Sequence, residues 1–245
     1  MEVRLKSSAG GVFSLLAEDV IAKGGVVYGA AFDSNWSVVH CRVDNTDDIA
    51  KLRGSKYVYS NYTQSIADVL NDLNDGRKVL FSGTPCQIAA MKARTGENDN
   101  LLSVEVVCHG APEAKYWERY IDEVCRNNGL SRCDIESISF RDKRTGWKGY
   151  SFTIIFKNGK IFTQRGSENL YMRIFLSDYT IRRACFRCPF KYPDGSKADI
   201  TLGDFWGIEK IAPQIDNNHG TTIVIARTQR GETSISQFEL AAELD

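Results

Sequence analysis

The feature that most constrains the fold is the alternation of two patterns along the first half of the chain. Short apolar runs typical of buried strands occupy VVYGAAF (26–32), KVLF (78–81) and LLSVEVV (101–107). Between and after them, apolar residues recur at helical spacing in 11–23, 66–73 and 117–124. Continuous apolar runs are typical of parallel strands covered on both faces, and helices supply the crossovers. We therefore predict an α/β fold with a parallel or mixed sheet flanked by helices.

The second half has a different pattern, which predicts an α+β arrangement. YSFTIIF (150–156), Asn158-Gly159 and KIFTQR (160–165) are typical of a β-hairpin with an Asn-Gly turn. We expect a helix over 168–183 and two further strands at 199–206 and 221–226. We also expect these elements to add to the same sheet as the first half.

Charge and length exclude several classes of protein. The 245 residues carry 31 basic and 31 acidic side chains, and nucleic-acid binding proteins normally show a basic excess. No apolar run approaches the roughly 20 residues that span a bilayer, and the N-terminus lacks the apolar stretch of a signal peptide. We expect a cytoplasmic protein with no membrane span and no nucleic-acid partner.

The sharpest local motif is Cys185-Phe-Arg-Cys188-Pro189. Two cysteines at this spacing can bind one metal from a tight loop, and a proline follows the last cysteine in some iron–sulfur runs. A zinc half-site, a redox dithiol and two packed thiols are the alternatives. Nearby cations favour thiolates, and they are Arg182, Arg183, Arg187 and Lys191.

Cys86 and Cys108 are the best candidates to complete a set of four thiolates. Each follows the end of a predicted parallel strand, and neighbouring parallel strands end at the same edge of a sheet, where ligand sites lie. The alternative is that both are small buried hydrophobic residues. We assign no function to the remaining cysteines, which are Cys41 on a strand, Cys125 on a helix and Cys133 in a loop.

Two short motifs are candidate binding sites for a phosphate and a ring system. Ser7-Ser8-Ala9-Gly10-Gly11 directly precedes a predicted helix, whose free N–H groups suit a phosphate. An ordinary helix cap is the alternative. Ser55, Lys56 and Tyr57 supply hydroxyl, cationic and aromatic groups in a loop, where a surface turn is the simpler interpretation.

Six phrases, spaced in order over residues 6–235, together resemble one family. They are SSAGGVFSLLAEDV, GSKYVYS, VLFSGTPCQIAAM, VEVVCHGAP, RRACFRCPF and ITLGDFWGI. The chain resembles the beta subunits of coenzyme F420 hydrogenases and dehydrogenases, a family of iron–sulfur flavoproteins. The resemblance implies that the protein binds FAD and a 4Fe-4S cluster.

Carried over by motif, the resemblance implies specific residues for each cofactor. The cluster ligands would be Cys86, Cys108, Cys185 and Cys188. The flavin contacts would be Ser7, Ser8, Gly10, Gly11, Ser55, Lys56 and Tyr57. Residues 1–77 would form the N-terminal segment of the family and 78–245 the C-terminal segment, within one structural unit. We expect a short member that lacks the N-terminal ferredoxin segment of its relatives.

The predicted function is an FAD-dependent iron–sulfur oxidoreductase or electron-transfer subunit. His109, beside a candidate cluster ligand, would donate a proton near the flavin, although a structural hydrogen bond is an equal alternative. The expected partners are a ferredoxin-like or other electron-donor protein and a small-molecule substrate that the sequence does not identify. A non-catalytic cluster-bearing relay and a zinc-stabilised transferase or binding module are the competing functions.

Overall fold

A computed structural model describes residues 2–192 and 195–243 of the chain. The strands in these residues are β1 Val26–Phe32, β2 Val38–Val43, β3 Val79–Gly83, β4 Leu101–Val106, β5 Ile135–Asp142, β6 Ser151–Phe156, β7 Ile161–Arg165, β8 Ile200–Asp204 and β9 Thr222–Ala226. The α-helices are α1 Glu2–Lys6, α2 Val12–Ala22, α3 Ile49–Leu52, α4 Thr63–Asn74, α5 Pro85–Thr95, α6 Ala114–Asn127, α7 Leu170–Leu176, α8 Ile208–Ile211 and α9 Gln229–Ile235.

The main sheet has six strands in the order β2-β1-β3-β4-β8-β9. The four central strands β1, β3, β4 and β8 are parallel, whereas β2 and β9 are antiparallel at the two edges. Strands from 1–77, namely β1 and β2, and strands from 78–245, namely β3, β4, β8 and β9, thus belong to one sheet. The predicted α/β class with a mixed sheet flanked by helices is confirmed.

Helices cover both faces of this sheet. Successive side chains of a strand point to opposite sides, so each strand contributes side chains to both faces. Leu80 points to the face that α2, α3 and α9 cover, where it packs with Leu16 and Ile235. Its neighbour Phe81 points to the other face and packs with Val69 of α4 and Ile88 of α5. Helices therefore cover both faces, and the parallel pairing places the carboxyl ends of β1, β3, β4 and β8 at one edge of the sheet.

The predicted Asn-Gly hairpin forms, but it does not extend the main sheet as expected. β6 pairs with β5 on one side and with β7 on the other, in a separate antiparallel sheet. The buried face of this sheet packs on α6 and α7 through an aromatic cluster that includes Trp117, Phe140, Phe152 and Tyr171. These rings give the hairpin its own core, so it needs no edge of the larger sheet. β8 and β9 do join the main sheet.

The helix expected over 168–183 is much shorter in the structure. Asn169 caps the N-terminus of α7 by accepting a hydrogen bond from the N–H of Met172, and the helix ends at Leu176. Asp178 adopts a positive φ of 67°, which stops the helical path. The chain then forms a bridge at Ile181 and a short 3-10 helix over Arg183–Arg187. Among the helices of the described ranges, none is long and apolar enough to cross a membrane.

Candidate functional site

A cavity of about 780 Å³ opens at the carboxyl ends of the parallel strands. Strands β3, β4 and β8 are paired side by side, so the loops that follow them meet at one edge. Residues predicted from the sequence to contact a flavin line this cavity, namely Ser7, Ser8, Gly11, Ser55, Lys56 and Tyr57. Gly10 is not among the lining residues. Its N–H instead donates to the Oγ atom of Thr222 on β9, at 2.7 Å.

The N-terminus of α2 forms one end of the cavity. Gly11 precedes the helix with a φ of 96°, a conformation that glycine adopts without strain. Ser7 donates through its hydroxyl to the carbonyl of Val3, at 2.7 Å, and Ser8 accepts from the N–H of Ser55. The serine motif and the Ser55 motif therefore form one continuous wall around the first N–H groups of α2.

Lys56 extends from this wall with its charge largely out of water. Burial lowers the pKa of Lys56 to about 8. Its Nζ atom donates to the carbonyls of Arg53 at 2.9 Å and Gly54 at 3.2 Å. The neighbouring ring of Tyr57 stacks on Phe175, with 5.1 Å between centroids. Lys56 and Tyr57 thus place a cation and an aromatic ring at the wall of the cavity.

His40 lines the same cavity as a neutral imidazole. Burial lowers the pKa of His40 to about 4. Its Nε2 atom lies 2.9 Å from the carbonyl oxygen of Ser82, and its Nδ1 atom lies 3.0 Å from the Oγ atom of Ser60. A carbonyl only accepts, so Nε2 carries the hydrogen and Nδ1 accepts from Ser60. The sequence reasoning missed this residue, because it stands within the ordinary apolar pattern of β2.

Arg141 is a second cavity residue that the sequence reasoning missed. It lies near the end of β5 and is buried, and its Nη1 atom donates to Asp204 at the end of β8. This ion pair connects the antiparallel sheet to the main sheet. An arginine that follows Phe140 in a strand gives no sign in one sequence of whether it faces solvent or a cavity.

A second, smaller cavity of about 40 Å³ collects the four candidate cluster cysteines. Cys86 lies in the first turn of α5, and its Sγ atom is 3.3 Å from the hydroxyl of Thr84. Cys108 lies just after β4, whereas Cys185 and Cys188 lie in and directly after the 3-10 helix. Thiols from three separate segments thus face one space.

Backbone pairing holds these segments in place. Pro112 and Ile181 form an antiparallel bridge, and the N–H of Arg182 donates to the carbonyl of Ala111 at 3.1 Å. Thr84 begins α5 by donating its N–H to the side chain of Gln87, at 2.9 Å. The bridge and the hydrogen bond from Arg182 hold the segment of Cys185 against the loop of Cys108. The hydrogen bond between Thr84 and Gln87 orients the turn that carries Cys86.

The environment of the small cavity is both buried and cationic. Burial, with the nearby Cys86 and Cys185, raises the pKa of Cys108 to about 12, and Lys191 opposes this shift. Arg182 also lines the cavity and stacks over Tyr59, with 4.1 Å from its guanidinium carbon to the ring centroid. Within residues 2–192 and 195–243, no group of three or more His, Cys, Asp or Glu side chains is arranged to hold a metal ion.

The other three cysteines lie apart from both cavities. Cys41 is half-buried on β2, Cys125 is buried on α6, and Cys133 is exposed in the 3-10 turn before β5. None of them is among the residues that line either cavity. Their placement on a strand, a helix and a turn agrees with the pattern seen in the sequence.

His109 lines the large cavity beside Cys108, but one of its ring nitrogens is already bound. Nε2 lies 2.7 Å from a carboxylate oxygen of Asp178, and the ring meets Phe175 edge-on at 5.2 Å. Its backbone carbonyl accepts from Lys191. The arrangement suits either a histidine held for structure or a proton donor oriented by a carboxylate.

The two cavities share a wall. Six residues line both of them, namely Val58, Ser60, Thr84, Gln87, Cys108 and Ala111. A ligand in the large cavity and a group bound by the four thiols would be separated by a single layer of side chains. This proximity is the geometric condition for electron exchange between the two.

Comparison with known proteins identifies the family. The sequence model for the C-terminal part of the coenzyme F420 hydrogenase/dehydrogenase beta chain matches residues 76–245. Among curated proteins there is no significant match. A chain of the F420-reducing [NiFe] hydrogenase complex from Methanosarcina barkeri, solved in a xenon derivatization study, superposes with a TM-score of 0.63 at 18% identity. The superposition covers 96% of this chain and 74% of that one, and at this identity it indicates a shared fold. The chain belongs to the coenzyme F420 hydrogenase/dehydrogenase beta-subunit family, as its sequence motifs predicted.

Proposed function

We propose that the protein is an FAD-dependent iron–sulfur oxidoreductase or electron-transfer subunit. It would move electrons between a substrate at a flavin in the large cavity and a 4Fe-4S cluster in the small cavity. The observation that carries this proposal is the shared wall, which includes Cys108 itself. Membership of a family of hydrogenase and dehydrogenase subunits supports the redox class.

The large cavity has the properties that a flavin needs. Its volume of about 780 Å³ lies within the range of small-molecule and cofactor sites. The N-terminus of α2, with Ser7, Ser8 and Gly11, would hold the pyrophosphate, because free N–H groups and the helix dipole attract anions. Ser55, Lys56 and Tyr57 would contact the rest of the cofactor, while Gly10 would support the loop from behind. When bound, a flavin exchanges a hydride with an organic substrate and single electrons with a metal cluster.

The four thiols fit an iron–sulfur cluster by number and by their position around one cavity. Cys86, Cys108, Cys185 and Cys188 would each ligate one iron of a 4Fe-4S cluster. Such a cluster is wider than one ion, so its ligand sulfurs stand farther apart than the ligands of a single zinc. Lys191 and Arg182 would stabilise the thiolate charge, as cations next to cysteines generally do.

His109 would supply the proton that accompanies hydride chemistry in the large cavity. Asp178 fixes the orientation of its ring through Nε2, so Nδ1 is the nitrogen available to exchange a proton. Electrons would arrive from a ferredoxin-like or other donor protein. The structural neighbour is an F420-reducing enzyme, so a deazaflavin is the first substrate to test. The seven free cysteines suit a reducing cytoplasm.

The deciding experiment is anaerobic purification followed by an optical spectrum and assays of iron, sulfide and released flavin. We expect a brown protein with broad absorption, about four irons per chain and one FAD. Iron without flavin would favour the alternative of a non-catalytic relay subunit. A colourless protein with stoichiometric zinc would favour the zinc-stabilised transferase or binding module and would contradict the proposal.

A further inference from the structure

Arg141 is a buried cation at the wall of the large cavity. Only 3% of its side chain is exposed. The guanidinium carbon lies 4.6 Å from the ring centroid of Tyr150 and 5.2 Å from that of Trp206, and these rings also line the cavity. These two rings fix the orientation of the guanidinium plane. A charge removed from water in this way requires partners for its N–H groups.

The Nη1 atom of the guanidinium group has such partners, whereas Nε and Nη2 have none in the part of the chain that the structure describes. Nη1 donates to Asp204 and, at 3.4 Å, to the hydroxyl of Tyr57. Nε and Nη2 have no hydrogen-bond partner among the described residues, although both atoms are buried. The N–H bonds of these two atoms are parallel along one edge of an arginine and match two oxygens of a carboxylate or phosphate.

We propose that the Nε–Nη2 edge of Arg141 is an oxyanion-binding subsite of the large cavity, which accepts a carboxylate or a phosphate of the bound ligand. The inference rests on the cavity of the proposed function, but not on the identity of its cofactor. Two sources carry this chemistry, namely the phosphates of a nucleotide cofactor and the acid group of a separate substrate.

Asp204 has a defined part in this subsite. Its carboxylate occupies the Nη1 side and so fixes which edge of the guanidinium group remains free. The same negative charge repels an incoming anion, which weakens binding. The opposing effects of Arg141 and Asp204 give the inference a signature that a purely structural arginine would not produce.

Calorimetric titration of the purified full chain tests the inference with free inorganic pyrophosphate and citrate as probes. Arg141→Gln should weaken binding of at least one probe by about tenfold or more, and Arg141→Lys should weaken it less. Asp204→Asn should strengthen it. The matched control is Arg144→Gln, because Arg144 is exposed, pairs with Asp142 and does not line the cavity.

Titration with FAD and with riboflavin separates the two sources. If Arg141→Gln weakens FAD but not riboflavin, the subsite takes a cofactor phosphate. If neither flavin is affected while a free probe is, it takes the acid group of a separate ligand. Equal loss of FAD and riboflavin would show recognition of the ring system and would overturn the inference.

The remaining outcomes are also decisive. Unchanged affinity for every probe in folded Arg141→Gln protein, checked by circular dichroism, would overturn the inference and leave only a stacking role. A fall in affinity with Asp204→Asn, or no probe binding by the wild type, would also overturn it. Arg141-dependent probe binding in a protein that takes up no flavin would support the subsite and reject the flavin proposal, so the two failures are distinguishable.

Discussion

The backbone N–H of Ser55 donates a hydrogen bond to the Oγ atom of Ser8, 47 residues earlier in the chain. This contact joins the loop before α2 to the loop after α3. Both loops line the large cavity, so the contact holds two parts of its wall together beside the N-terminus of α2. A ligand that spans the two motifs depends on it.

Ser8→Ala should therefore weaken flavin binding severalfold and cost about 1 kcal/mol of unfolding free energy, because the N–H of Ser55 loses its acceptor. Flavin fluorescence titration and denaturant unfolding measure the two effects. The control is Ser167→Ala, an exposed turn position before α7. Unchanged flavin affinity in folded Ser8→Ala protein would contradict a role for this loop.

Alanine at Cys86, Cys108, Cys185 or Cys188 should each remove most of the bound iron and lower the yield of folded protein. The physical reason is that cluster binding and folding are coupled when the ligands come from separate segments. Iron and sulfide assays after anaerobic purification give the result. Cys133→Ala, at an exposed position, should retain full iron content. Four variants with wild-type iron would reject the site.

His40 should make the protein sensitive to acid. Because the pKa of His40 falls from 6.5 to about 4 on folding, the unfolded chain binds an extra proton between these pH values. Stability is therefore complete above pH 6.5 and declines as the pH falls toward 4. The loss approaches about 3 kcal/mol.

His40→Gln removes this titration, so its unfolding free energy should fall less steeply than that of the wild type over the same pH range. Denaturant unfolding at several pH values measures the difference. Parallel pH profiles for the two proteins would show that His40 is not buried as a neutral group.

Trp117→Ala should be among the most destabilising substitutions in the aromatic cluster between α6, α7 and the sheet β5-β6-β7. The indole is 1% exposed, packs against Phe140 and Phe152, and donates to the carbonyl of Trp36 at 2.6 Å. Truncation of such a side chain costs about 3–5 kcal/mol. Tyr179→Ala, at a side chain that is 82% exposed, should change the unfolding free energy little.

Arg183 and Arg187 are exposed on either side of Phe186, next to the cysteine cavity, and should contribute to docking of an electron donor. Arg183→Glu combined with Arg187→Glu should slow reduction by a ferredoxin, with the largest effect at low salt. Reduction by dithionite should be unaffected. Rapid reduction of the wild type by NADH alone, in stopped-flow measurements, would argue against a protein donor. Arg182, in contrast, stacks on Tyr59 and is not a free surface charge.

Local periodicity was sufficient to predict most of the parallel sheet. VVYGAAF occupies β1 over its full length, and the chain leads directly from β3 to Cys86 in the first turn of α5 and from β4 to Cys108. The ends of these strands predicted that the two cysteines lie close together, because neighbouring parallel strands end at the same edge of a sheet. The separate antiparallel sheet was not predicted, since the choice between two sheets depends on aromatic packing between distant elements.

The residues that line the large cavity also differ in how well the sequence predicts them. Ser8 and Lys56 stand in recognisable motifs, whereas His40 and Arg141 lie inside ordinary strands. Whether a strand side chain faces a core, solvent or a cavity depends on which elements stop short of covering it. Local sequence patterns do not show this, and tertiary structure does.

The layer of side chains common to both cavities has a thermodynamic consequence. If the occupant of the small cavity shifts Cys108 or Thr84, it changes the free energy of binding in the large cavity. By linkage, a ligand in the large cavity must change affinity in the small one by the same factor. If exposure to air removes the occupant of the small cavity, ligand binding in the large cavity would then weaken. This would happen although no residue that contacts the ligand had been substituted.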